Sequence, residues 1–422
     1  MWALIDCNSY FASVERAFHP GLDGRPVVVL SANDGIIVAL TPEAKSLGLH
    51  RGDALFQVRE IVERNRIALF STNMTLYAAM SRRILGIIRQ AVDRVENYSI
   101  DESFAYLGGY DGRYDLVEYM RGLADRIRLW TGVPISVGIA PTKTLAKIAS
   151  KFAKKYPGYR SVCMIDSDGK RRKALSLTEL SNVWGLGSRS CEKLRSLGVQ
   201  APLEFADRPA EWVRSHFFKP VIQTWQELNG WPCILTEEVL QRQNITVSRC
   251  FGDMISTLDD LKASVATFAA GCANKLRGQR SVAGAVTVFL CSNAFRPDLE
   301  QYSNMATRPF RMPTADTVEI TATVLALTES LYKSGICYKR SGVILSHISS
   351  DTCVQQVLFD PIQNRPERLG LSRTLDTLNQ RLGPKTVRLA IEGTERQPWN
   401  PRSAHRSGDY LTDLGGILTV GG

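Results

Sequence analysis

Tyr98-Ser99-Ile100-Asp101-Glu102-Ser103-Phe104 sets two adjacent carboxylates between two short strand-like runs. Neighbouring side chains on a straight strand point to opposite faces, so both acids serve one site only where the chain bends. The Tyr-Ser-Ile run before them and the Phe-Ala-Tyr run after them predict two strands meeting at a tight turn. Upstream, Trp2 to Ile5 reads as a strand that ends on a third acid, Asp6. Three such carboxylates are oxygen ligands that suit Mg²⁺, which keeps waters and substrate phosphates as its other ligands. Two such ions stabilise both the attacking and the leaving oxygen of a phosphoryl transfer. Taken alone, an isolated Asp-Glu pair far more often simply solvates a turn.

Around this segment, short strands and helices alternate up to about residue 165. Pro26 to Leu30, Pro134 to Ile139 and two runs within Arg94 to Leu107 read as strands; Asn73 to Gln90 and Leu116 to Trp130 read as helices. The mixture predicts an α+β sheet domain. From about Ser176 to Asn229, short helices broken by Gly or Pro take over, and a polar stretch from Trp231-Pro232 to Gln243 reads as a linker. A third unit, about Ile245 to Ser350, alternates strand-like runs (Val282 to Leu290, Thr317 to Thr321, Ser341 to Leu345) with helices (Leu258 to Arg277, Ala322 to Lys333). After Ser350 the chain turns polar and rich in Pro and Arg, the pattern of a flexible tail that orders on partners.

Composition narrows the function classes. The 422 residues are 44% apolar and 22% charged, which excludes global disorder and a collagen-like chain. No apolar run approaches the roughly 18 residues of a membrane helix, and the first residues, with an acid at position 6, do not form a secretory signal. No membrane partner is expected. The nine cysteines form no CxxC pair, so reduced core thiols in a cytoplasmic protein are expected rather than a disulfide framework or zinc site. Net charge is +10, and Thr131 to Leu175 carries ten basic residues against two acids. A concentrated basic region suggests a polyanion, nucleic acid first; the alternative is a solvated basic surface. Lys143, Lys147, Lys151 and Lys154 fall on one helical face opposite Leu145, Ile148, Ala149 and Phe152. With no acid partner in the stripe, the lysines predict a phosphate partner.

Asp6-Cys7-Asn8-Ser9-Tyr10-Phe11-Ala12-Ser13-Val14-Glu15 and Tyr98-Ser99-Ile100-Asp101-Glu102-Ser103 resemble the two signature motifs of Y-family translesion DNA polymerases. Val27 to Ser31 followed by Asn33-Asp34-Gly35, and Asp376 to Arg388, resemble its UmuC branch, that of the catalytic subunit of bacterial DNA polymerase V. The match spans nearly the whole chain, in the family's order. It implies a multidomain right-hand polymerase: palm 1–20 and 72–165, fingers 21–71, helical thumb 166–232, α/β little finger 243–350 and a partner-binding tail 351–422. It implies that Asp6, Asp101 and Glu102 hold two Mg²⁺ ions, with the Cys7 carbonyl as a further ligand. By the same resemblance Tyr10 and Phe11 lie at the incoming nucleotide, Phe11 as the bulky ring that clashes with a ribose 2′-OH. Lys45 and Lys154 would contact the triphosphate. Leu40 stands where UmuC relatives commonly have Arg, and Pro42 where they have Ala or, in other branches, Tyr.

Val183-Trp184-Gly185-Leu186-Gly187-Ser188-Arg189-Ser190-Cys191-Glu192-Lys193-Leu194 resembles a helix-hairpin-helix. Gly185 and Gly187 allow a tight turn whose N–H groups bind a DNA phosphate without reading sequence, with Lys193 beside it. Gln355-Gln356-Val357-Leu358-Phe359 resembles the peptide that docks on the sliding clamp, with Gln355, Leu358 and Phe359 as anchors. The family implies primer-template DNA and deoxynucleoside triphosphates as substrates, and a processed UmuD-type dimer and the RecA filament as partners in the SOS response to DNA damage. Two rivals stand beside this reading: a weakened or non-catalytic DNA-bound adaptor of the same family, and a metal-dependent nuclease.

Overall fold

The computed structural model describes residues 1–234, 242–352, 354, 355, 357, 358, 360, 362–393 and 397–412. The chain divides into two units, one of Met1–Glu237 with Ser403–Gly422, the other of Glu238–Arg402. Among the described residues no helix is long and apolar enough to cross a membrane.

The first unit opens with β1 (Trp2–Cys7) and α1 (Tyr10–Phe18), then β2 (Val27–Leu30), β3 (Ile37–Leu40), α2 (Pro42–Ser46), α3 (Leu55–Arg64) and β4 (Ala68–Ser71). It continues with α4 (Met74–Ala91), β5 (Val95–Asn97), β6 (Glu102–Tyr106), α5 (Leu116–Thr131), β7 (Ile135–Ala140), α6 (Lys143–Lys155) and β8 (Val162–Met164). Five short helices follow: α7 (Asp168–Ser176), α8 (Ser188–Ser196), α9 (Pro202–Ala206), α10 (Ala210–His216) and α11 (Lys219–Leu228). One sheet runs β5-β6-β1-β7-β8, and a second, smaller sheet runs β3-β2-β4.

The period of two along β1 decides what faces what. Ala3, Ile5 and Cys7 point into a core with Tyr10 and Val14 of α1 and Leu76 and Met80 of α4. Trp2 and Leu4 point the other way, against Leu145 and Ala149 of α6. Asp6 shares the parity of Trp2 and Leu4, so it lies on the α6 face at the end of the strand. α6 comes unusually close to the sheet, because Gly138 of β7 has no Cβ: one there would stand 2.1 Å from the Ala146 carbonyl oxygen. Burial of this two-sided strand, with Ala3, Leu4 and Ile5 at most 1% exposed, anchors the unit.

The second unit comprises β9 (Ile245–Ile255), α12 (Leu258–Gly278), β10 (Ser281–Ser292), β11 (Ser303–Thr314), α13 (Thr317–Leu331), β12 (Tyr338–Ser350) and α14 (Arg365–Leu382). Its antiparallel sheet runs β11-β10-β12-β9. The predicted strand at Thr317 to Thr321 is instead the first turns of α13. Its β-branched residues read as strand, but Asp316 caps the helix by accepting from the Val318 and Glu319 amides at 3.1 and 3.4 Å. β9 and β11 were not anticipated.

The flexible tail expected after Ser350 is corrected for the described residues. α14 is held by Arg277, whose guanidinium lies 2.6 Å from Asp376, and by Arg368 against Asp316 at 2.8 Å. Trp399 is buried in the core of this unit. Leu371, Leu375, Leu378 and Leu382 recur in α14 at helical spacing, but Leu371, Leu378 and Leu382 are exposed, and ion pairs attach the helix. Residues 403–412 return to the first unit as an extended strap, described below.

Candidate active site

Asp6 and Glu102 are cross-strand partners in the antiparallel β1–β6 pair, one register step beyond Ile5 and Ser103. Directly opposite residues share a face, so the two carboxylates meet at the sheet edge. Asp101 precedes β6 in the expected bend. Ser99 shapes that bend: its Oγ donates to Asp101 Oδ1 at 2.6 Å and accepts from the Asp101 and Glu102 amides at 3.2 and 3.0 Å. The Cys7 amide donates to the Asp101 carbonyl at 2.9 Å, which ties the bend to the end of β1. Local hydrogen bonding thus resolves the parity problem of two adjacent acids.

The acids open into a cleft of about 690 Å³ lined also by Cys7, Tyr10, Phe11, Lys45 and Lys154. That volume suits a medium-sized ligand. Burial pushes the Asp6 carboxyl above the usual range; Lys154 pulls it down, and the Glu102 and Asp101 charges push it further up. Burial also raises the Cys7 thiol far above its usual value, so Cys7 is inert as a nucleophile and only its backbone is available. Lys45 is held below the usual lysine value by burial first and by the Lys154 charge second. The cleft therefore joins a carboxylate cluster to two ammonium groups.

The predicted lysine stripe is corrected. Its members do have acid partners, supplied by strands distant in sequence. Lys143 pairs with Glu96 of β5, Lys147 with Glu102 of β6 at 2.9 Å, and Lys154 with Asp6 of β1 at 3.2 Å. Lys151 instead donates to the Asn182 carbonyl at 2.7 Å. Lys143 is 3% exposed, so it is a buried structural cation and not a phosphate contact.

Phe11 stacks on Tyr77 of α4, ring centroids 4.4 Å apart and 15° from parallel. Tyr10 is buried and donates its hydroxyl hydrogen to the Tyr77 carbonyl at 2.6 Å, so it braces the Phe11 ring and has no hydrogen left for a ligand. Leu40 is 4% exposed and belongs to the core of the small sheet, as well as lining the cleft. Sequence reasoning missed His50 and Arg51, which line the cleft beside Lys45. Only their exposed position after the helix α2, with no periodic pattern, could have marked them. It also missed Trp184, whose indole N–H donates to the Tyr98 hydroxyl at 3.0 Å and so braces the bend that carries the acids.

Gly185 takes φ +91°, and a Cβ there would stand 2.1 Å from Thr224 Oγ1, so only glycine fits. Gly187 is the N-cap of α8. Lys193 is not a free cation: its ammonium donates to the His216 carbonyl and covers the Phe217 ring at 5.0 Å. Of the candidate clamp anchors, Leu358 is 89% exposed, Gln355 is also exposed, and Phe359 lies outside the described residues.

The donor chemistry at the sheet edge is that of a hard cation: three carboxylates and a backbone carbonyl, crowded enough that two of them raise the third. Among the described residues no group of three or more His, Cys, Asp or Glu side chains converges on a single point. Lys154 and Lys147 stand against Asp6 and Glu102, and Ser99 holds Asp101. The residues fit divalent metal in their chemistry, with these side-chain partners competing for the same oxygens.

Residues 5–151 match the impB/mucB/samB family, and residues 242–358 match that family's C-terminal domain. The Protein ImpB of Salmonella typhimurium is 37% identical over 98% of this chain and 97% of its own. The chain belongs to the impB/mucB/samB family. The family's Protein UmuC, from Salmonella typhimurium strain LT2, is 35% identical over the full length of both chains, and the Protein MucB of Escherichia coli is 37% identical over 98% of each. Residues 370–420 match a domain of unknown function, DUF4113. In fold, the chain resembles the Y-family DNA polymerase chimera Dbh-Dpo4(243-245)-Dbh, with a TM-score of 0.66 and 20% identity over 83% of this chain and 99% of the other. The chain is thus a UmuC-branch member with the α+β right-hand fold of the Y family.

Proposed function

We propose that this chain is a DNA-directed DNA polymerase that adds deoxynucleotides to a primer 3′-OH opposite damaged template. The observation that carries the reading is one cleft in which Asp6, Asp101 and Glu102 face Lys45 and Lys154, with the Phe11 ring on its wall. Carboxylates, ammonium groups and an aromatic wall match a metal-bound triphosphate and the sugar attached to it.

Asp6, Asp101 and Glu102, with the Cys7 carbonyl, would hold divalent metal, Mg²⁺ by their oxygen chemistry and two ions by the family's pattern. Divalent metal held there would supply charge stabilisation to the attacking and leaving oxygens. Lys154 and Lys45 offset the charge of the departing pyrophosphate, which gains charge as the bond breaks. Ser99 and Trp184 hold the bend that carries Asp101 and Glu102 beside Asp6. Phe11, stacked on Tyr77, closes the space that a ribose 2′-OH would need.

The backbone turn at Gly185 and Gly187 suits a duplex phosphate bound without sequence preference. Exposed Leu358 and Gln355 suit a sliding clamp pocket. An SOS role in the cytoplasm, with a processed UmuD-type dimer and a RecA filament as partners, completes the reading.

Mg²⁺-dependent primer extension by the purified chain tests it, on undamaged and abasic templates, with and without clamp, RecA filament and UmuD-type dimer. Extension that disappears in Asp101→Asn supports the polymerase. DNA binding with no extension under any of these conditions overturns it in favour of an adaptor. Shortened primer without added nucleotide overturns it in favour of a nuclease.

A further inference from the structure

Residues 403–410 form a strap across the first unit. The Ser403 hydroxyl donates to the Ala32 carbonyl at 2.9 Å, and the Ala404 amide donates to Asp34 Oδ2 at 2.6 Å. At His405 the strap pairs with the edge of β4: the Ser71 amide donates to the His405 carbonyl at 2.9 Å, and the His405 amide to Ser71 Oγ at 2.9 Å. It then crosses to α4 and α1. Asn73, the N-cap of α4, donates to the Ser407 carbonyl at 3.0 Å. Tyr410 stacks on Phe18 of α1 at 5.1 Å.

One contact leads inward. Ser407 Oγ donates to Glu15 Oε1 at 2.9 Å, and the Tyr77 hydroxyl donates to the same oxygen at 2.6 Å. Glu15 is fully buried, and its Oε2 has no hydrogen-bond partner among the described residues. The single accepting oxygen therefore fixes where the Tyr77 hydroxyl sits. The Tyr77 ring is the surface on which Phe11 stacks. Tyr77 also lies one turn beyond Asn73, its amide donating to the Asn73 carbonyl at 3.0 Å. Two routes, through the carboxylate and through the helix cap, thus join the strap to the ring in the cleft.

We propose that Ser407, Glu15 and Tyr77 are positioning residues for Phe11, and that the strap 403–410 sets how strictly the cleft rejects a ribonucleotide. The proposal rests on the reading of Phe11 as the ring beneath the incoming sugar. An aromatic ring excludes a hydroxyl only if it cannot tilt away, and a stacked neighbour pinned by a buried carboxylate removes that freedom. Ser407 touches neither substrate nor metal ligand, so its effect on selectivity passes through Glu15 and Tyr77.

The test is single-nucleotide incorporation by the full chain, with clamp, RecA filament and UmuD-type dimer present, reading kcat/KM for one deoxynucleotide and the matching ribonucleotide. Both substrates meet the same folded molecules, so a partial loss of fold cancels in the ratio. Phe11→Ala is expected to raise the ribonucleotide share strongly. Tyr77→Phe keeps the ring and loses the hydroxyl; Ser407→Ala loses the strap's bond. Each is expected to raise the ribonucleotide share about two- to tenfold, the scale of one lost hydrogen bond. Ser407→Thr, which keeps the hydroxyl, restores the original ratio. If Phe11→Ala relaxes selectivity while Ser407→Ala and Tyr77→Phe do not, the strap is only a structural tie and the proposal fails alone. If Phe11→Ala leaves the ratio unchanged, or no variant incorporates either substrate, the underlying reading fails and takes the proposal with it.

Discussion

Lys147 on α6 reaches across to Glu102 on β6, its Nζ 2.9 Å from Oε1 and 3.0 Å from Oε2, while lying 4.3 Å from the centre of the Tyr98 ring. One ammonium thus pins both the carboxylate and the bend that positions it. The side chains are 14% and 22% exposed, so solvent screens the pair only in part.

Lys147→Met is expected to destabilise the protein by about 1–3 kcal/mol, because Glu102 then faces the Asp6 and Asp101 carboxylates without its counter-charge. Urea unfolding at neutral pH checks this. A midpoint equal to that of the parent chain refutes it.

Asp376→Ala removes the partner of Arg277, whose side chain is 7% exposed. Leaving a buried guanidinium short of its carboxylate costs about 2–4 kcal/mol. Hydrogen exchange is expected to quicken across α14 while the first unit stays protected. Uniform quickening, or none, speaks against α14 as an integral part of the second unit.

Glu15 gives a pH signature. Burial pushes its carboxyl above the ordinary glutamate value, more than the bonds from Tyr77 and Ser407 pull it down. Between the unfolded and folded values the folded chain binds more protons than the unfolded one, so stability falls as pH rises through that window and levels off above it. Glu15→Gln is expected to flatten that part of the stability curve. Parallel curves for the two proteins contradict the prediction.

The parts of the site carried by contiguous residues were readable from sequence: the acid bend at Asp101-Glu102, the strand end at Asp6 and the aromatic Phe11. Each depends on local order along a few residues. The partners of Lys143, Lys147 and Lys154 were not readable, because Glu96, Glu102 and Asp6 come to α6 only through the sheet order β5-β6-β1. Thr317 to Thr321 misled through β-branched side chains, whose strand preference gave way to the Asp316 cap and to burial of Ile320 and Val324 in the core. α14 was legible in the helical spacing of Leu371, Leu375, Leu378 and Leu382, which the polar composition around them masks; its ionic attachment through Arg277 and Arg368 was not. The strap escaped because Ser407 looks like any polar residue until Glu15 is seen beneath it.

The first unit is written in two pieces of sequence, with the whole of the second unit between them. On the ribosome, then, the acids and Phe11 are made long before Ser407. At ~5–20 residues per second, roughly fifteen to sixty seconds separate Glu102 from Ser407, and more separates Phe11 from it. A nascent chain in that interval holds a nearly complete cleft that still lacks its outer brace, and any product cut short within the second unit keeps it in that state. Order of synthesis therefore places the finishing contact of the oldest part of the molecule among its newest residues.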